Sequence, residues 1–105
     1  MAETDWSELP ERGRVDLLGW VAAVSYPAAG QAPVFSAILE PDVPPPGGRR
    51  TTVERVRLVW MGQRRVPGVG AGGQLRCRGM LTREANARVL YDPGYEILEA
   101  EEENG

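Results

Sequence analysis

Apolar and polar residues alternate in short runs along this chain, and no long stretch carries the 3.6-residue period of an amphipathic helix. "RVDLLGWVAAVSY", from Arg14, predicts a long first strand, and Gly19 in its middle predicts a bend or bulge. "SYPAAGQAP" reads as a loop, and "VFSAILE" as a short second strand. "VERVRLVWM" is the third, with Val56, Leu58 and Trp60 on one side and Arg55, Arg57, Val59 and Met61 on the other. "QLRCRGML" is the fourth: Leu75, Cys77 and Gly79 oppose Arg76, Arg78 and Met80. "RVLYDPGYEIL" is a fifth segment, joined to the fourth by a hairpin and split at Asp92-Pro93-Gly94.

The connections are equally distinctive. Residues 41–52, "PDVPPPGGRRTT", hold four prolines and two glycines and predict a long, partly polyproline loop. "GQRRVPGVGAGG", with five glycines and a proline in twelve residues, leaves room for no more than a turn between the third and fourth strands. Its glycines are not a phosphate loop, because no Lys-Ser/Thr follows and no helix begins there. Before the first strand, Trp6 and Leu9 stand at i and i+3 in an acidic arm, residues 1–13, and are read as its anchor on the core. Residues 14–98 are expected to form the one domain and residues 99–105 a disordered acidic tail. Five strands in this length favour closure into a small barrel, since closure removes exposed edges. On pattern alone an SH3-like barrel is the rival.

Composition narrows the chemistry. The 105 residues include one cysteine and no histidine, which excludes an intramolecular disulfide and a zinc site of the usual Cys/His type. Cys77 is read as a small inward residue. With no imidazole to act as a base and no motif presenting a nucleophile, we expect neither catalysis, cofactor nor metal. The start of the chain is acidic, and no run approaches the ~18 apolar residues of a membrane span. A soluble, cytoplasmic protein is expected, with no membrane partner.

The net charge of −3 conceals a segregation. Residues 1–11 carry four acids and no base, and residues 96–105 carry five acids and no base. The segment between them holds all twelve arginines against six acids. Arginine offers a planar fork for phosphates and a face that stacks on bases.

The residues also resemble known sequences. "VDLLGWV" is similar to the V-x-V-x-G-W-V first strand of oligonucleotide/oligosaccharide-binding (OB) folds of the anticodon-binding type. "LVWMGQRRVPGV", "GGQLRCRGML" and "RVLYDPGYEIL" resemble the small OB-fold nucleic-acid-binding proteins of actinobacteria, themselves similar to the OB wedge domain of branch-migrating DNA helicases. The matching positions are Leu58, Trp60, Gly62, Arg64, Arg65, Pro67, Gly68, Gly73, Leu75, Gly79, Pro93 and Tyr95. The proline-rich insertion and the acidic ends depart from the pattern. The resemblance implies an all-β, five-stranded Greek-key OB-fold barrel with little or no helix between strands three and four. It also implies a face for single-stranded or branched DNA or RNA.

On such a face phosphates need a positive groove and bases need planar side chains on which to stack. Arg55, Arg57, Arg64, Arg65, Arg76 and Arg78 are the candidate phosphate contacts, forming one stripe if the third and fourth strands are neighbours. Glu54 and Glu84 are candidate partners that would mute some of this charge. Tyr26, Tyr91 and Tyr95 are the stacking candidates, whereas Trp20, Trp60 and Phe35 are read as core. The competing readings are a solvated barrel face and a protein-interaction module that uses the OB face or the polyproline loop. The acidic ends are read as a further candidate, folding over the basic face as an intramolecular competitor.

Overall fold

The computed structural model describes residues 2–42 and 54–98. A single 3-10 turn, Trp6–Glu8, precedes six strands: β1 (Gly13–Ser25), β2 (Val34–Glu40), β3 (Val56–Met61), β4 (Gln74–Glu84), β5 (Ala87–Tyr91) and β6 (Gly94–Leu98). β1 pairs antiparallel with β2 and β2 with β3; β3 runs parallel to β5, β5 pairs with β4, and β4 returns to β1. That ring is the five-stranded OB-fold barrel expected from the sequence. The sixth strand extends it, because the fifth sequence segment breaks at Pro93 and its second half continues along Gln74–Arg78 of β4. The proline-rich loop, apart from Pro41 and Asp42, and the acidic tail lie outside the described residues.

Alternation explains the core. Val15, Leu17 and Val21 of β1, Phe35, Ala37 and Leu39 of β2, Val56, Leu58 and Trp60 of β3, and Leu75, Cys77 and Leu81 of β4 all face inward and are buried. Cys77 is therefore the inward residue anticipated, and apolar burial pushes its thiol up to about 12. Trp20 departs from expectation. It falls on the outward parity of β1 and is only half-buried.

One end of the barrel is closed without a helix. Val66 and Val69 of the Gly-rich segment turn inward, and Tyr95 holds that segment by donating its hydroxyl to the Pro67 carbonyl at 3.3 Å. Aromatic rings continue the plug. Tyr26 lies 5.2 Å from Phe35, Phe35 lies 5.8 Å from Trp60, and Trp60 meets Tyr95 edge-on at 5.6 Å. The β5–β6 break is stitched to β3: Asp92, at φ 47°, donates its N–H to Val59 O at 2.6 Å and accepts from Met61 N–H through Oδ1 at 2.9 Å.

The bulge anticipated at Gly19 lies further along β1, where the register with β2 shifts between Val21 and Ala23. Gly19 has a different task. It sits where β1 passes from β4 to β2, with Trp20 paired to both Gln74 and Glu40. A Cβ there would stand 2.6 Å from the Glu40 carbonyl oxygen and 2.9 Å from Leu39 Cγ. Gly19→Ala is expected to cost about 1–3 kcal/mol through overpacking against backbone, read as a lowered urea midpoint. An unchanged midpoint would show that β1 and β2 can separate freely at this point.

Candidate nucleic-acid interface

The candidate arginines separate into three places. β3 is flanked by β2 and β5, whereas β4 is flanked by β1, β5 and β6, so the third and fourth strands are not neighbours and the single six-arginine stripe does not form.

Arg76 and Arg78 serve a buried acid. Asp16 occupies an outward position of β1 directly opposite Arg78, yet is 0% exposed. Arg76 donates to it through Nε at 2.8 Å and Nη2 at 3.0 Å, and Arg78 through Nε at 3.2 Å. The N-terminal arm covers the group. Thr4 N–H donates to the Asp16 carbonyl at 2.7 Å, and Thr4 Oγ1 accepts from Asp16 N–H at 2.9 Å. Trp6 Nε1 donates to Leu18 O at 2.8 Å, and both Trp6 and Leu9 pack on the core, as their spacing suggested. Arg78 also approaches Glu96, at 3.9 Å. A carboxylate enclosed in this way is kept charged by its donors, with the Arg76 hydrogen bonds outweighing desolvation, and its pKa is lowered.

Arg55 and Arg57 lie at a cleft of about 490 Å³ lined by Ala23–Ser25 of β1, Ser36–Ile38 of β2, residues 54, 55 and 57 at the start of β3, and residues around the β4–β5 turn. Small outward side chains, Ala23, Ser25 and Ser36, keep its floor low. Arg55 is 3.5 Å from Glu40, while Arg57 is exposed and makes no ion pair or hydrogen bond among the described residues. Two further arginines, Arg83 and Arg88, line the same cleft. The sequence reading passed over them because one lay in the turn "TREANA" and the other opened the next strand. Their signal was parity: they face each other across the hairpin two residues beyond the buried pair Leu81 and Leu90. Arg83 meets Glu11 at 2.7 Å; Arg88 meets Glu11 at 3.6 Å and Glu54 at 3.2 Å.

Arg64 and Arg65 lie beyond the far end of β3. Arg64 donates through Nη2 to the Gln31 carbonyl in the β1–β2 loop at 2.9 Å, and Arg65 is exposed with no partner among the described residues.

The tyrosines are likewise dispersed. Tyr26 is the most exposed, directly after Ser25 at the loop end of the cleft. Tyr91 pairs across β3–β5 with Val59 and donates its hydroxyl to Glu84 at 2.7 Å, which raises its pKa against the opposing pull of Arg57. Glu84 therefore engages a tyrosine rather than an arginine. Tyr95 belongs to the plug beneath the barrel, its ring against Trp60.

No protein-family model, curated protein or solved structure matches this chain. Among the described residues, no helix is long and apolar enough to cross a membrane.

Because the folded pKa of Asp16 lies below its ordinary value of 3.8, its contribution to stability is present above that value and is lost as pH falls through the lower, folded pKa. Asp16→Asn is expected to lose about 2–3 kcal/mol at pH 7, the scale of hydrogen bonds to a charged group, and to flatten stability below pH ~4. Chemical denaturation across pH 2–7 checks both. A variant that keeps the wild-type profile would mean that the arginines do not hold this carboxylate.

Proposed function

We propose that the chain is a non-catalytic OB-fold module that binds single-stranded or branched nucleic acid in the cytoplasm, with little sequence preference. The observation that carries the reading is the cleft across β1–β3, with a small-residue floor and four arginines on its walls. A backbone of phosphates is held there by charge, and bases find planar guanidinium and tyrosine faces. Arg57 is the leading contact, as the cleft arginine without a carboxylate partner among the described residues. Arg55, Arg83 and Arg88 follow, and Arg64, Arg65 and Tyr26 extend the track towards the β1–β2 loop. Tyr91, beside Arg57, is a secondary stacking surface. The resemblance to actinobacterial OB-fold proteins and helicase wedge domains points the same way.

Arg76, Arg78 and Tyr95 take a structural role in this reading, because Arg76 Nε and Nη2 and Arg78 Nε donate to Asp16 and the Tyr95 hydroxyl donates to Pro67. This yields a separable expectation. Fluorescence anisotropy with labelled ~20-mer DNA and RNA should give a log–log salt slope of roughly −2 to −3, from about 0.7 per phosphate contact over three or four contacts. Arg57→Ala should weaken binding and flatten that slope at unchanged stability. Arg76→Ala should lower stability first. Absence of binding to either strand type at low salt, in full-length and tail-trimmed protein alike, would reject the reading and favour a protein partner for this face.

A further inference from the structure

The β4–β5 hairpin contains a local conflict. Arg83 and Arg88 stand directly opposite each other, and like charges in a cross-strand pair repel. The turn between them is only two residues long, with Ala85 at φ 55°, so their backbones have little room to separate. Two carboxylates offset the conflict: Glu54 lies 3.2 Å from Arg88 Nη1, and Glu11, which bridges both arginines, reaches in from the segment just before β1 with one oxygen 2.7 Å from Arg83 Nε and the other 3.6 Å from Arg88 Nη2.

A carboxylate and a phosphodiester present the same feature to such a pair: two oxygens on one centre sharing a single negative charge. Guanidinium forks donate to either. Two further features mark this place as a site for a diffusible anion rather than a fixed structural bridge. Glu11 is 67% exposed, and exposed ion pairs hold weakly. Arg88 also keeps a buried Nε donor with no hydrogen-bond partner among the described residues, a donor the present carboxylates leave unused. Both arginines line the cleft described above.

We infer that Arg83 and Arg88 form a phosphate-binding fork whose place is held in the free protein by Glu11, so that the N-terminal segment competes with a phosphodiester for one end of the cleft. The inference rests on the nucleic-acid reading for the source of the phosphate but not for the fork itself. The arm need not detach. Thr4 and Trp6 remain hydrogen-bonded to β1 while the exposed Glu11 side chain swings away.

The experiment compares wild type with Glu11→Gln, using Glu8→Gln as a control that makes the same change in net charge on an exposed residue with no ion pair among the described residues. With the labelled ~20-mer at low salt, Glu11→Gln should bind roughly threefold to fivefold more tightly, the scale of one exposed ion pair. The gain should shrink as salt rises, and Glu8→Gln should stay near wild type. In parallel, inorganic pyrophosphate is titrated while the Nε–H signals of Arg83 and Arg88 are followed by NMR. Those signals should shift at lower pyrophosphate concentration in Glu11→Gln than in wild type. Pyrophosphate response without strand binding would keep the fork and reject the nucleic-acid reading. Strand binding that is identical in wild type and Glu11→Gln, an equal gain in Glu8→Gln, or Arg83 and Arg88 signals indifferent to pyrophosphate would each overturn the fork.

Discussion

Closure of the barrel depends on β1 serving two partners in succession. Over its first eight residues it pairs with β4, and from Trp20 onward with β2. A strand can make that transfer only by bending hard enough for two neighbours to converge on its backbone. The missing side chain at Gly19 admits the Glu40 carbonyl, and the register shift before Ala23 completes the turn. Once β1 is committed, β3 and β5 must meet in parallel to finish the ring, which places the β4–β5 hairpin over the cleft.

The same geometry sorts the arginines. An outward position on a barrel strand is not equivalent to its neighbours, because each faces a different element. Arg76 and Arg78 lie where β4 borders β1, beneath an arm that encloses Asp16 with them. Burying a carboxylate demands nearby donors, since desolvation opposes the charged form. Arg57 lies on a face that no described segment covers, and it is exposed among the described residues. Residues similar in local sequence thus acquire different surroundings from the strand that lies beside them.

This is also where legibility in the sequence ends. Strand-length alternation, Gly and Pro punctuation and the Asp92-Pro93-Gly94 break were enough to anticipate an all-β barrel, the inward face of Cys77 and the helix-free plug. Trp6 and Leu9 announced an anchored arm. What alternation does not encode is which strands become neighbours, and the stripe of six arginines failed on that point: β5 inserts between β3 and β4. Asp16 stood in plain view as the one acid inside the apolar first strand. Its partners, 60 and 62 residues away, became apparent only with the β1–β4 register. Arg83 and Arg88 were hidden by a different pairing, the parallel β3–β5 ladder that sets Arg88 beside Val56 and brings the hairpin to the cleft.

The position of Cys77 has a consequence for the dynamics of the chain. It is the sole cysteine, fully buried, on the part of β4 that pairs with both β1 and β6. A reagent in solution reaches its sulfur only in moments when those ladders part, so modification of this one atom runs at the pace of local opening rather than of thiol chemistry. The molecule thereby contains a built-in clock for the breathing of its most connected strand.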